Sequence, residues 1–403
     1  MTTTSTGRRG RARSLAAAVA AAASAAALAA CGSASPAAPA AAAAGGPAAA
    51  SGPTATLATS LGTAKDSWAI VPVSTNPTFW EVLVRPATSS TWRLVTPPGV
   101  ADNGGLVAAA GTGNGLTVAV RSSQDLRFTP VTSTADAGAS WSTDGPIGQG
   151  VASSPGALAV SGRTLAALLG NGAVETSADA GGSWRTLAKP GTIAASPAGK
   201  KCGTVAITDV STGPMPGEVL AAGGCGATGS AGLFSYSAGA GWQRLALPVS
   251  GQLVRLGPGA ALVRAKAGLT ALWPTAYAWY AYAPLSSPTA PPADGWTTSA
   301  PLPVTSAVTA SGSLAGAPPT SPAGTWVLLP GGRAATIAGP GKQWLLLPPT
   351  PAHTTVLASG PGTSLDALAV SGDNVTVWQL DQGSTVWARA QTISVPIQPG
   401  SSS

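Results

Sequence analysis

Histidine is nearly absent from this 403-residue chain: His353 stands alone, beside three cysteines, three glutamates, four tyrosines and six lysines, and charged residues make up 9% of the whole. Each shortage closes off a chemistry. One histidine with Cys202 and Cys225, the two cysteines of the C-terminal part, cannot complete ordinary zinc ligation, so no metal or other cofactor is expected. Serine-hydrolase chemistry needs a base beside an exposed nucleophile, and His353 lies in Pro-Ala-His-Thr with no Gly-x-Ser-x-Gly elbow to serve. Glycoside hydrolysis needs two carboxylates facing each other across the scissile bond. The 14 acidic residues, Glu81, Glu175 and Glu218 among them, show no spacing that marks such a pair. Long apolar runs are missing too: the alanine-rich stretch 14–27 is too short for an ordinary spanning helix.

What is present begins with Arg8, Arg9, Arg11 and Arg13, then that apolar stretch, then Leu28-Ala29-Ala30-Cys31. A cationic start, a short apolar run and small residues before a cleavage point form a secretory signal. The ending resembles the lipobox of bacterial lipoproteins. That resemblance implies removal of residues 1–30, a diacylated Cys31 as first residue and anchorage on the extracytoplasmic face of the cell membrane. An ordinary signal peptide with a chance cysteine is the alternative, and the Arg8-Arg9 pair leaves the export route open. Loss of the four arginines reduces the formal charge from +7 to +3 and leaves Lys200-Lys201 as the largest basic cluster. No electrostatic footprint for nucleic acid remains. Residues 31–53 are nearly all Ala, Gly, Pro and Ser. They bury too little to offset the entropy of ordering, and Pro36, Pro39, Pro47 and Pro53 break any helix, so they read as a flexible tether.

Residues 54–399 have the composition of an all-β domain, with a disordered tail at 400–403. Runs of four to eight residues rich in Val, Leu, Thr and small residues alternate with Gly, Pro and Ser clusters, and no segment holds a helical apolar period for three turns. One tryptophan can be assigned to each unit, giving Trp92, Trp141, Trp184, Trp242, Trp296, Trp344 and Trp387, separated by 49, 43, 58, 54, 48 and 43 residues. Several open a short strand closed by proline, as in Trp92 to Pro97 and Trp184 to Pro190, and proline suits a strand end because it cannot donate to the ladder. Two units resolve into four strands each: 157–160, 164–169, 173–177 and 183–187 in one, and 356–359, 365–370, 375–380 and 385–389 in the other. Four short strands per unit of about 45 to 50 residues is the arithmetic of a β-propeller of four-stranded antiparallel blades. Seven blades are expected, with six or eight as alternatives. Either 393–397 or the segment near 55–61 could close the ring.

An eight-residue pattern, Ser/Thr-x-Asp-x-Gly-x-x-Trp, occurs twice: Thr134, Asp136, Gly138 and Trp141, then Ser177, Asp179, Gly181 and Trp184. It resembles the Asp box of the bacterial-neuraminidase-repeat and sialidase-like families, a turn between the two outer strands of propeller blades. The chemistry of the residues makes it a folding device. Asp accepts hydrogen bonds from its own turn, the hydroxyl adds a local bond, Gly takes a positive φ, and Trp starts the next strand with a ring that buries between blades. A sialidase would further require an arginine triad, and none of Arg85, Arg121, Arg163, Arg255 and Arg264 sits in the Arg-Ile-Pro context of that family.

Cys202 and Cys225, 23 residues apart in an exported domain, are expected to form a disulfide within the fourth blade, stabilising by about 3 kcal/mol. Two free buried thiols are the alternative. Trp273, Tyr277, Trp279, Tyr280 and Tyr282 crowd into the fifth unit, either as a binding surface for a sugar or peptide or as inter-blade packing. The sequence therefore reads as a monomeric, non-catalytic surface lipoprotein whose propeller binds an envelope protein or glycan. A diverged sialidase-like glycoside hydrolase is the second reading.

Overall fold

The computed structural model describes residues 59–62, 66–73, 79–97, 106–110, 115–120, 131–141, 155–203, 205–213, 217–226, 229–257, 260–274, 296–304, 306–314 and 324–395. They form seven antiparallel sheets, six of four strands and one of three. The first holds β1 (Thr59–Gly62), β2 (Asp66–Val73), β3 (Phe79–Pro86) and β4 (Arg93–Leu94); the second holds β5 (Leu106–Ala110), β6 (Leu116–Val120) and β7 (Val131–Thr134). The third holds β8 (Pro155–Ser161), β9 (Thr164–Leu169), β10 (Val174–Ser177) and β11 (Arg185–Ala188). Two short helices, α1 (Thr192–Ala195) and α2 (Pro197–Cys202), lead to the fourth, β12 (Val205–Thr212), β13 (Val219–Cys225), β14 (Ser230–Ser237) and β15 (Gly241–Leu245). The fifth holds β16 (Gln252–Gly257), β17 (Ala260–Ala265), β18 (Gly268–Pro274) and β19 (Trp296–Thr298); the sixth holds β20 (Ala310–Ser313), β21 (Thr325–Leu329), β22 (Arg333–Ile337) and β23 (Leu345–Leu346). The seventh holds β24 (Thr354–Ser359), β25 (Leu365–Ser371), β26 (Asn374–Leu380) and β27 (Ala388–Ser394).

Within each sheet every strand pairs with its neighbour in sequence. The second strand of each four-stranded sheet is apolar nearly throughout, because its two faces meet two different sheets. In β2, Trp68 and Ile70 pack against Leu116 and Val118 of the second sheet. The alternate residues Ala69, Val71 and Val73 pack against Val356, Leu357 and Ala367 of the seventh. The same arrangement continues around the chain. Separate cores join second to third, third to fourth, fourth to fifth and fifth to sixth, and the core that joins sixth to seventh also includes the first. Sheets packed face to face in cyclic order define a β-propeller.

Six of the seven periodic tryptophans lie inside the outermost strand of their sheet or next to it, and Trp141 follows the turn after β7, the last described strand of the second sheet. Five of the seven donate the indole N–H to a residue of the preceding sheet or the segment after it: Trp92 to Asp366, Trp141 to Val95, Trp296 to Ala246, Trp344 to Ser299 and Trp387 to Pro348. Cys202 and Cys225 are joined in a disulfide with a Cα–Cα distance of 5.1 Å, tying α2 to the end of β13. Gly232 on β14 leaves room for it, since a β-carbon there would collide with Cys225 Sγ.

The first and last described strands do not share a sheet. Residues 59–62 form β1 of the first sheet and Ile393 lies in β27 of the seventh, so each terminal sheet is built from its own consecutive strands. A buried polar cluster joins them. Arg85 Nη2 donates to Ser359 O (2.6 Å), Gly360 O (2.9 Å) and Ser67 Oγ (3.2 Å), and Arg85 Nε lies 3.6 Å from Asp366 Oδ2. Trp92 Nε1 donates to the same oxygen at 2.8 Å, and Gln391 bonds both the N–H and the C=O of Trp92.

Candidate functional site

The first strand of each sheet is its innermost one. Across all seven, β1, β5, β8, β12, β16, β20 and β24, the sequence supplies two charged residues, Asp209 on β12 and Arg255 on β16. A β-bulge places each of them. Thr208 and Val254 are extra residues against the neighbouring strand, as are Gly156 in β8 and Thr355 in β24, so Ala157, Asp209, Arg255 and Val356 occupy equivalent positions. Such a bulge re-aims the side chain that follows it.

Arg255 reaches across the middle of the ring. Its Nη1 donates to Ser311 O at 2.6 Å and to Thr59 Oγ1 at 3.2 Å, joining the fifth sheet to the sixth and the first. Thr59 Oγ1 also donates to Ser311 O at 3.0 Å, and Ser60 Oγ to Ser313 O at 3.2 Å. Trp326 Nε1 donates to Ser60 Oγ at 2.6 Å. Arg255 nevertheless keeps part of its surface accessible.

Asp209 is engaged by backbone N–H groups. Its Oδ1 accepts from Val210 N at 2.8 Å and its Oδ2 from Leu256 N at 2.6 Å. Loss of hydration pushes its carboxyl up to about 6, against the pull of the Leu256 N–H, the Arg255 charge and the Val210 N–H. The same desolvation lowers the Arg255 guanidinium, with the Asp209 charge opposing it. The two do not form an ion pair within 4.0 Å; Arg85 and Asp366 are the pair that does among the described residues.

The two eight-residue turns are built alike. Thr134 Oγ1 donates to Asp136 Oδ1 and accepts from Gly138 N (2.9 Å), while Ser140 N and Oγ both donate to the Asp136 carboxylate. Ser177, Asp179, Gly181 and Ser183 repeat every one of these bonds. Gly138 (φ 79°) and Gly181 (φ 97°) take the left-handed conformation, as do Ala137 and Ala180 before them. Trp141 and Trp184 pack between sheets.

Trp273 is 2% exposed and packs against Val327, Leu329 and Ile337 of the sixth sheet, so it serves inter-sheet packing and not an exposed surface. Tyr277, Trp279, Tyr280, Tyr282 and Cys31 lie outside the described residues. His353 is an exposed turn residue with φ 63°. No cluster of metal-ligating side chains occurs among the described residues, and no helix among them is long and apolar enough to cross a membrane. Sequence reasoning gave Asp209, Thr59 and Ser311 no role and named Arg255 only among the arginines. The available signal was that Asp209 and Arg255 are the charges carried by strands otherwise made of apolar, small and neutral polar residues.

No protein-family model and no curated protein matches the chain. Among solved structures it is similar to YCF48 from Cyanidioschyzon merolae, with 14% identity over 82% of this chain and 95% of that one and a TM-score of 0.43. It is also similar to the GH74 xyloglucanase of Xanthomonas campestris, with 15% identity over 82% of this chain and 52% of that one and a TM-score of 0.45. A third is the six-bladed fucose lectin of Aleuria aurantia, with 13% identity over 86% of this chain and all of that one and a TM-score of 0.37.

Proposed function

We propose that this protein is a lipid-anchored, extracytoplasmic binding module. In this reading the seven sheets are the blades of one ring, the two repeated turns are structural Asp boxes, and acylated Cys31 holds the domain to the membrane through the tether 31–53. Its partner is an envelope protein or glycan met at one end of the ring.

The observation that carries the non-catalytic part is the make-up of the innermost strands. Asp209 is the one carboxylate they contain, and both its oxygens are taken up by backbone N–H groups. Glycoside hydrolysis requires a second carboxylate across from it. Asp136 and Asp179 cannot supply it, being locked in turns at the outer side of their sheets.

Two measurements test the reading together. A Cys31→Ser chain is expected in the soluble fraction and the parent chain in the membrane fraction, with labelled palmitate incorporated by the parent alone. A panel of fluorogenic glycosides, sialosides included, is expected to remain unhydrolysed. Turnover abolished by Asp209→Asn would overturn the binding-module reading, and equal partition of the two chains would overturn the anchor.

A further inference from the structure

We infer that Arg255 forms an oxyanion site at the centre of the ring, one that takes a terminal carboxylate. The inference deepens the binding-module reading and rests on it. A guanidinium has five N–H donors in a planar fork suited to two carboxylate oxygens. In Arg255, Nη1 is used by Ser311 O and Thr59 Oγ1. No hydrogen bond among the described residues uses Nε or Nη2, the edge that would face a ligand. The nearest acid does not occupy that edge, because Asp209 turns its two oxygens to Val210 N and Leu256 N.

Fixing one edge leaves the other preorganised. The Val254 bulge aims the side chain inward, and bonds to strands of two other sheets hold the guanidinium in place, so little rotamer entropy remains to be lost on binding. The partial exposure of Arg255 gives a ligand access.

Charge and donor geometry select the ligand class. Thr59 Oγ1 lies 3.0 Å from Ser311 O and Arg255 Nη1 bonds both, so one edge of the guanidinium is closed off by β1 and β20 and a ligand meets the other. A terminal carboxylate matches in charge and geometry the two donors left on the other edge of the guanidinium, which a neutral sugar ring does not. The carboxylate could belong to a polypeptide C-terminus or to a free aliphatic acid, and the test separates these sources.

The full chain is titrated by calorimetry with N-acetyl-tetra-alanine bearing a free terminal carboxylate, with its C-terminal amide, and with butyrate. The free acid is expected to bind and the amide to bind at least about tenfold more weakly, since a two-bond Arg–carboxylate pair is lost. Arg255→Gln is expected to abolish the difference between acid and amide while leaving the thermal melt cooperative. Arg255→Lys, which keeps the charge but not the fork, is expected to fall between. Butyrate binding as tightly as the peptide would assign the site to free acids. Equal binding of acid and amide, no binding of either acid probe, or unchanged discrimination in a folded Arg255→Gln chain would overturn the inference. A silent glycoside panel alongside any of those results leaves the binding-module reading standing, so the two failures are distinguishable.

Discussion

Asp179 has both carboxylate oxygens committed inside its own turn, to Ser177 Oγ, Ser183 N and Ser183 Oγ, and Asp136 does the same with Thr134 and Ser140. Hydrogen bonds to the ionised form hold both carboxyls at about 2, led by Ser140 for Asp136 and by Ser177 for Asp179. A group ionised at every physiological pH cannot serve as a general acid. The linkage has a definite sign: with a folded value below the unfolded one, each carboxylate's contribution is complete above about 4 and fades as pH falls towards 2. Asp136→Asn and Asp179→Asn are therefore expected to melt below the parent chain at pH 7. The three curves are expected to converge as pH is lowered from about 4 to about 2. A gap that persists unchanged at pH 2 would mean that the carboxylate charge contributes nothing to the turn.

At the scale of the element, the outer tryptophans divide by what their indole N–H meets. Trp296 donates to Ala246 O at 2.9 Å, whereas the Nε1 of buried Trp242 has no partner among the described residues. Removing a made bond costs about 1 kcal/mol or more, while removing an unsatisfied donor relieves a desolvation penalty. Trp296→Phe is thus expected to destabilise by about 1–2 kcal/mol beyond Trp242→Phe in urea denaturation, and equal losses would refute the assignment. These positions were legible in the sequence because one large ring per unit is a packing requirement between neighbouring sheets. Strands were legible where pattern and burial agree: 164–169 is β9 residue for residue, and the expected strand 365–370 is β25 less its last residue. The last outer strand was less so. It begins at Ala388 instead of 385 and runs to Ser394, with Ala390 the extra residue of a bulge beside Gln391, which bonds Trp92. Helices α1 and α2, four and six residues long, are too short to show a period. Asp209 and Arg255 were hidden for a related reason: strict alternation along β12 or β16 misplaces every side chain after the extra residue.

At the scale of the whole molecule, a ring must hold its ends together against the entropy of letting them part. Among the described residues no strand is shared between the first and seventh sheets, and the seam is held by the common apolar core and by Arg85. The Arg85 side chain is 5% exposed and that of Asp366 3%, and the guanidinium lies 5.9 Å from the centre of the Trp92 ring. Desolvation alone would make the pair unfavourable. Three bonds from Arg85 Nη2 to seventh-sheet carbonyls and to Ser67, with the Trp92 N–H on Asp366, offset that cost. Removing one partner strands the other: Arg85→Met leaves a buried carboxylate and two unmet carbonyls, and is expected to cost about 3–5 kcal/mol. Asp366→Asn keeps an acceptor for Trp92 and leaves Arg85 its carbonyl partners, so about 1–3 kcal/mol is expected. Amide exchange read at Trp92 and Ser359 distinguishes a seam from general loosening. In Arg85→Met these amides are expected to exchange faster than those of β13 and β17 on the far side of the ring. Uniform acceleration, or a loss in Arg85→Met below about 1 kcal/mol, would show that the apolar core closes the ring unaided.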